Sequence, residues 1–199
     1  MSHMPLVVLE GFSGTGKTSL AKGLEEVGWL RLEESAHAVP RSVPLVDRAD
    51  TYADFSLFGS TMMYCSTIAQ SRGERMIVSE GYFLSDLTYA KIRFELKKST
   101  AYPSMLKFCK DLLSDEMLRP DLYVVLQARP ETIGTRQLGK DERERNETDH
   151  FRDRYYTALS EIHRDLGESK VEPLYTDTDM KVTLGSLTEL LKRKGIATA

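Results

Sequence analysis

Short apolar runs alternate along this chain with longer segments of helical periodicity. Five runs are typical of buried or half-buried strands. They cover residues 6–9, 29–32, 76–78, 122–126 and 171–175. The segments between them repeat apolar side chains every three or four positions, as amphipathic helices do. Alternating strands and helices predict one α/β domain with a mostly parallel sheet.

Several of the intervening segments are predicted to be helical. They are residues 18–27, 52–72, 85–96, 103–118, a segment that begins at 130, 151–162 and 182–191. In the longest of them the apolar residues approximate a single face, formed by Phe55, Phe58, Met62, Cys65 and Ile68. This face is either part of the core or the surface of a homodimer, and core is the preferred interpretation. Residues 36–51 have no clear periodicity and are predicted to form a loop.

Composition and charge restrict the classes of protein to consider. The chain has 199 residues and a formal net charge of -3, which argues against binding nucleic acid through bulk electrostatics. No apolar run approaches the length of a membrane span. Cys65 and Cys109 are far apart in sequence, so we interpret them as buried thiols of a reducing cytoplasm rather than a disulfide or zinc framework. Residues 1–3 look like the remnant of an expression tag, and residues 4–199 are predicted to form the domain.

The strongest chemical signal follows the first predicted strand. Residues 11–18 read Gly-Phe-Ser-Gly-Thr-Gly-Lys-Thr and fit the pattern G-x-x-x-x-G-K-[ST] between a strand and a helix. Glycines let such a loop turn its N–H groups inward, so that a helix N-terminus cradles phosphate oxygens. Lys17 would reach the β- and γ-phosphates, and the Thr18 hydroxyl would ligate Mg²⁺. A structural Gly-rich turn is the alternative, and the strand before and the helix after make it unfavourable.

Carboxylates follow two of the other predicted strands. Glu33 and Glu34 come after the second strand, and Glu80 follows the third. Open α/β sheets bind ligands at the carboxyl ends of their strands, so these side chains are candidates for the same site. The alternative is that they are ordinary solvated acids. Residues 136–147 are the most charged passage, and they form either a solvated face or a mobile arginine-bearing lid over the polyphosphate.

The phosphate loop alone does not identify a reaction. A regulatory GTPase is disfavoured because no D-x-x-G occurs and the single asparagine, Asn146, has no N-K-x-D context. Residues 76–80 could be the acidic strand of a motor-type ATPase, but 199 residues leave little room for the partner elements that such proteins need. A small kinase fits the length best. A regulatory nucleotide-binding module that hydrolyses ATP slowly, and a nucleotide binder without acceptor chemistry, stay open.

At these motifs the sequence resembles the thymidylate kinase and deoxynucleoside kinase superfamily. The similarity extends from residues 9–18 to the helix that starts near Asn146. Residues 77–82 with Ser85 and Tyr89 resemble the segment where a strand ends in an acidic residue and a Ser- and Tyr-bearing helix follows. Residues 119–136 are similar to the strand and helix that lead to the lid, and residues 142–147 resemble the lid.

This resemblance implies a P-loop kinase fold with a five-stranded parallel sheet, helices on both faces and an arginine-bearing lid at about residues 139–148. It implies transfer of the γ-phosphoryl group of ATP, with Mg²⁺, to a small-molecule acceptor that is a nucleoside or nucleoside monophosphate. Another small hydroxyl compound, such as an antibiotic, is the alternative acceptor. The residues that would bind the nucleotide are Gly11, Ser13, Gly14, Thr15, Gly16, Lys17, Thr18, Ser19 and Arg136.

The same resemblance implies catalytic roles for five side chains. Lys17, Arg143 and Arg145 would stabilise the charge on the transferred group, while Arg136 would stack on or border the adenine. Glu34 would be the base toward the acceptor hydroxyl, with Glu33 as the alternative. Glu80 would hold Mg²⁺, directly or through water, or the acceptor. Two positions depart from the family's pattern, because Gly81 replaces the usual arginine and Ser35 the usual proline.

Overall fold

A computed structural model describes residues 3–40, 42–45, 48–138, 149–168 and 170–196. The strands in chain order are β1 (Leu6–Glu10), β2 (Leu30–Leu32), β3 (Ile77–Glu80), β4 (Leu122–Gln127) and β5 (Val171–Tyr175). The helices are α1 (Lys17–Glu25), α2 (Thr51–Ser71), α3 (Phe83–Glu95), α4 (Tyr102–Leu112), α5 (Pro130–Gln137), α6 (Asp149–Leu166) and α7 (Met180–Arg193). A short 3₁₀ turn spans Ser35–His37.

All five strands lie parallel in one sheet, in the order β2-β3-β1-β4-β5. Strand β1 is central and every residue of it is buried, as expected for a strand covered on both faces. The register pairs Leu9 with Glu80 on one side and Glu10 with Val125 on the other. The carboxyl ends of β1 and β3 therefore meet at one edge of the sheet. The predicted five-stranded parallel sheet is confirmed.

Helices cover both faces of this sheet. On one face Leu6 and Val8 of β1 pack with residues of α2, α3, α4, α5 and α6. On the other face Val7 and Leu9 pack with α1 and α7. The alternation of side chains along β1 sends neighbouring residues into opposite layers, so one apolar strand supports both cores.

Two details of the helices differ from the sequence prediction. Phe55 is 46% exposed, so the predicted single face of α2 is wrong at that residue, although Phe58 and Ile68 are buried. Helix α4 ends at Leu112 rather than Leu118. The reason is the buried Arg72 side chain, which donates to the carbonyl oxygens of residues 116, 117 and 119 and holds that segment in turns.

Composition also led to expectations about membrane spans and about the two cysteines. None of the helices in the described ranges has both the length and the apolarity needed to cross a bilayer. Cys65 and Cys109 are free thiols, the first half-buried and the second buried. That α2 forms the surface of a homodimer, the alternative interpretation of this helix, stays a prediction.

Candidate active site

The loop between β1 and α1 is built by backbone geometry that only glycine adopts readily. Gly11, Gly14 and Gly16 have φ angles of 148°, 90° and 102°. A Cβ at Gly11 would lie 2.8 Å from the carbonyl oxygen of Leu126, so a side chain is excluded there by contact as well. Thr15 tightens the turn, because its N–H and its hydroxyl both donate to the Phe12 carbonyl, at 3.2 and 2.8 Å.

Helix α1 begins at this loop without a side-chain cap. Its N-cap residue is Gly16, which has no side chain to accept from the first-turn N–H groups. These donors and the helix dipole favour a bound anion. Lys17 is nearly buried, and its Nζ donates to the Gly11 carbonyl at 2.7 Å. The phosphate-loop pocket is lined by Gly14, Gly16, Lys17, Thr18, Ser19, Glu34, Arg136 and Met180.

Arg136 and Thr176 support the loop from the opposite side. Arg136 Nη2 donates to the Thr176 carbonyl at 2.6 Å, and its Nη1 lies 3.5 Å from the Gly14 carbonyl oxygen and 3.4 Å from that of Thr15. The Thr176 hydroxyl donates to the Thr15 carbonyl at 2.8 Å. Gln137 Nε2 donates to the Ser13 carbonyl at 3.2 Å. Helix α5, which leads to the predicted lid, is therefore joined directly to the phosphate loop.

Glu80 is buried at the end of β3 and contacts the loop. Its Oε2 accepts from the Thr18 hydroxyl, and its Oε1 accepts from Arg31 Nε at 2.6 Å. Hydroxyl and carboxylate oxygens are ligands that suit Mg²⁺, which usually binds one or two carboxylates and keeps several waters. In the part of the chain that the structure describes, no group of three or more His, Cys, Asp or Glu side chains could hold a metal. If Mg²⁺ binds at this position, Thr18 and Glu80 are the residues that would hold it.

The two glutamates after β2 have different surroundings. Glu34 Oε1 lies 4.0 Å from Lys17 Nζ, and the residue lines the phosphate-loop pocket. Glu33 is directed to Arg31 at 3.2 Å and to His37 at 3.7 Å, and its side chain is 54% exposed. The structure thus brings Glu34 to the loop and leaves Glu33 outside it.

A second cavity, which we call the acidic cleft, lies beside the phosphate-loop pocket and is partly open to solvent. Its walls come from the loop, from the segment after β2, from α2 and from α3. The lining residues are Ser13, Glu34, Ser35, Ala36, Leu45, Asp54, Leu57, Glu80, Gly81, Tyr82, Ser85, Asp86, Tyr89 and Arg93. Glu34 lines both cavities, so it stands at the junction between them.

No protein-family model and no curated protein matches the sequence. Solved structures do match. A thymidylate kinase from Candida albicans has a TM-score of 0.73 at 17% identity, over 98% of this chain and 93% of that one. A deoxyadenosine kinase from M. mycoides with bound dCTP has a TM-score of 0.65 at 14% identity, over 94% and 99% of the two chains.

This chain has a thymidylate/deoxynucleoside kinase-like fold. The resemblance found at the sequence motifs is therefore confirmed for the fold. Identities of this size concern architecture, because one fold carries many functions. The roles of side chains must be argued from this chain's own geometry.

Within this kinase-like fold, the two departures from the family's pattern both lie in the acidic cleft. Gly81 has a φ of 73°, and a Cβ there would meet the Ser85 hydroxyl oxygen at 3.0 Å. A larger side chain such as arginine is strained at this position and crowds Ser85. Ser35 begins the 3₁₀ turn, and its hydroxyl lies 3.4 Å from Asp86 Oδ1. Both changes reshape the cleft rather than the phosphate-loop pocket.

The far end of the cleft contains buried charges that the sequence analysis missed. Asp86 accepts from the Thr61 hydroxyl at 2.5 Å, and burial raises the pKa of this carboxyl to about 7. Asp54 Oδ1 accepts from Arg93 Nε at 2.9 Å, and both side chains are almost completely buried. The available signal was an acidic residue among apolar neighbours on α2 and α3, a pattern that is unusual for a solvated acid.

Glu10, at the end of β1, is a third buried acid. It accepts a hydrogen bond from the Ser85 hydroxyl, and burial raises the pKa of its carboxyl to about 8. It therefore connects the residue before the phosphate loop to the helix that lines the cleft. Arg143 and Arg145, the arginines expected in the lid, lie outside the described residues.

Proposed function

We propose that the protein is an ATP-dependent phosphotransferase that moves the γ-phosphoryl group of ATP to a nucleoside or nucleoside monophosphate. The observation that carries this proposal is the position of Glu34. It lines the phosphate-loop pocket and the acidic cleft, and it lies 4.0 Å from Lys17 Nζ. A carboxylate between a polyphosphate site and a second cavity is suited to accept a proton from a hydroxyl group held in that cavity.

In the proposed step an acceptor hydroxyl oxygen forms a bond to the γ-phosphorus. The bond between that phosphorus and the β–γ bridging oxygen breaks, and ADP leaves with the electron pair. Glu34 takes the hydroxyl proton. Lys17 and the N–H groups at the start of α1 stabilise the negative charge on the phosphates, since phosphoryl transfer depends mainly on positioning and charge stabilisation.

The remaining roles complete the donor side. Mg²⁺ held at Thr18 and Glu80 would supply charge neutralisation across the phosphate oxygens. Arg136 would border the bound nucleotide from α5, and Arg143 and Arg145 would approach the transferred group from the lid. Two free thiols suit a reducing compartment, so we place the reaction in the cytoplasm.

The test is release of ADP across a panel of nucleosides, nucleoside monophosphates and small alcohols. We expect ADP release to depend on a nucleoside or its monophosphate. Release that is independent of any acceptor and depends on a partner protein would support the regulatory module. Release only with a non-nucleoside alcohol would support the antibiotic-type kinase.

Glu33 offers a matched control for the role of Glu34, because the two residues are adjacent and equally charged. We expect Glu34→Gln to lower kcat by about 100-fold while the KM for ATP stays within about twofold. Glu33→Gln should change kcat by less than about threefold, since Glu33 faces Arg31 and His37. A large loss from Glu33→Gln with Glu34→Gln silent would reverse the assignment of the base.

A further inference from the structure

The charge of the acidic cleft restricts what it can bind. Among the described residues that line it, four are carboxylates and one is a guanidinium. The carboxylates are Glu34, Asp54, Glu80 and Asp86, and the guanidinium belongs to Arg93. Arg93 is paired with Asp54, and burial raises the pKa of the Asp86 carboxyl to about 7, so Glu34 and Glu80 carry most of the negative charge of the lining.

The charge of Arg93 is already matched within the protein. Its Nε donates to Asp54 Oδ1 at 2.9 Å, and its Nη2 contacts the same oxygen. Both side chains are about 1% exposed, so this pair is not screened by solvent. Asp54 Oδ2 is buried and has no hydrogen-bond partner among the described residues. This end of the cleft therefore presents an acceptor oxygen that needs a donor.

Lys17 and Arg31 lie near the cleft, and each already contacts groups of the protein. Lys17 lines the phosphate-loop pocket, where its Nζ donates to the Gly11 carbonyl and lies 4.0 Å from Glu34 Oε1. Arg31 contacts Glu80, but it also lies 3.2 Å from Glu33 and 3.6 Å from Glu25, so its charge is shared among three acids. Position 81 is glycine and contributes only backbone to the wall.

We propose, on the basis of the phosphotransferase function above, that the acceptor is an unphosphorylated nucleoside and not a nucleoside monophosphate. A phosphate monoester carries about two negative charges near neutral pH. Placing it beside carboxylates is strongly unfavourable, and such like-charge contacts are a source of specificity. A nucleoside is neutral, and its N–H and O–H groups can donate to Asp54 Oδ2 and to Asp86.

A nucleoside acceptor also defines the reacting groups near Glu34, where the two cavities meet. The attacking group is a sugar hydroxyl, whose oxygen bonds to the γ-phosphorus while ADP leaves. The hydroxyl proton needs a base, and Glu34 is the carboxylate that lines both cavities. A monophosphate acceptor would be ionised already and would give a carboxylate here little to do.

The test pairs each of the four 2′-deoxynucleosides with its own 5′-monophosphate. We expect kcat/KM for ADP release with the best nucleoside to exceed that with its monophosphate by about 100-fold or more. A monophosphate that is used as well as its nucleoside overturns the inference and leaves the phosphotransferase function standing.

A charge variant tests whether the carboxylates cause this preference. At about pH 8, above the pKa of Asp86, Asp86→Asn keeps an acceptor for Thr61 but removes one negative charge, and it should reduce the nucleoside preference by about tenfold. Glu189→Gln makes the same change of charge on the exposed surface of α7 and should leave the ratio unchanged. An unchanged ratio in Asp86→Asn, with unfolding like that of the parent, contradicts the electrostatic explanation.

Binding measurements distinguish a failure of the charge preference from a failure of the phosphotransferase function. Calorimetry would measure the same nucleosides and monophosphates in the presence of a non-transferable ATP analogue. If nucleosides bind more tightly in this experiment but none of them causes ADP release in the assay with ATP, the phosphotransferase function is refuted and the charge preference is supported. Equal or tighter binding of monophosphates, or no binding of any nucleoside, overturns the preference itself.

Discussion

The phosphate-loop pocket and the acidic cleft share Glu34 but are constructed differently. Most of the residues that line the pocket come from one contiguous stretch, residues 14–19, and its shape depends on backbone angles. The cleft depends on side chains from separate elements. Asp86 meets Thr61 across 25 positions of sequence, Arg93 meets Asp54 across 39, and Ser85 meets Glu10 across 75.

The two regions also use charge in opposite ways. The pocket presents Lys17 and uncapped N–H groups to an anion. The cleft presents three buried carboxylates that are paired with hydroxyl or guanidinium donors, namely Asp54, Glu80 and Asp86. A site for a polyphosphate can be made from the backbone alone, whereas selection of its partner needs side chains that only the fold brings together.

Removing the cation of the pocket should have the largest effect. We expect Lys17→Ala to lower kcat for ADP release by about 1,000-fold, because this ammonium stabilises the transferred charge. The melting temperature should stay close to that of the parent. Lys22→Ala, at an exposed site on α1, is the control and should retain activity. Native turnover by Lys17→Ala would remove the pocket from the mechanism.

Breaking the buried ion pair of the cleft should mainly reduce stability. Arg93→Met leaves Asp54 charged and buried, and we expect the free energy of unfolding to fall by about 4 kcal/mol in urea denaturation. Arg154→Met removes the exposed arginine that faces Glu95 and should cost less than about 1 kcal/mol. The double variant Asp54→Ala/Arg93→Met should recover part of the loss. If Arg93→Met is as mild as Arg154→Met, the pair does not support the cleft.

Glu10 connects the two regions, and its raised pKa predicts a pH dependence of stability. Its folded pKa of about 8 lies above its ordinary value of 4.5, so the folded protein keeps a proton that the unfolded chain loses. This contribution to stability is present below about pH 4.5 and is lost as the pH rises toward about 8, by up to about 1.4 kcal/mol per pH unit.

Glu10→Gln should flatten that dependence. The measurement is urea unfolding of the parent and the variant between about pH 5 and about pH 8, where we expect their difference to change by about 3 kcal/mol in favour of the variant. Glu189→Gln, at an exposed site, should follow the parent at every pH. If the free energy of unfolding changed with pH in the same way in the parent and in Glu10→Gln, Glu10 would not keep its proton in the folded protein.

The smallest effect tests the geometry of the loop. Gly14 has a φ of 90°, and a Cβ there would approach Gln137 Cγ and Ile133 Cγ2 at 3.3 Å. We expect Gly14→Ala to weaken binding of an ATP analogue by about tenfold, since strain of this kind costs one to a few kcal/mol. Gly134→Ala on α5 meets nothing within 4 Å and should stabilise the helix by about 1 kcal/mol without affecting binding. Equal binding by both variants would show that the loop tolerates a side chain.

Much of the fold could be predicted because its signals are local. Strands β3 and β4 are short apolar runs, and a strand buried on both faces requires such a run. Helix α5 begins at Pro130, as proline at a first helical position indicates. The end of α4 could not be predicted, because it depends on carbonyl oxygens that Arg72 binds from a distant helix.

The candidate site likewise has one part that could be predicted from local sequence and one part that depends on residues far apart in the chain. The phosphate loop could be predicted from local sequence, since glycine readily adopts the positive φ angles found at Gly11, Gly14 and Gly16. The acids near the carboxyl ends of β2 and β3 could be predicted in the same way. The packing of the chain was needed to show that Glu34 rather than Glu33 reaches Lys17, because two adjacent glutamates carry the same chemistry in sequence. Asp54 and Asp86 stand among apolar neighbours in the sequence, which suggests burial, but their hydrogen-bond partners depend on how α2 and α3 pack against each other.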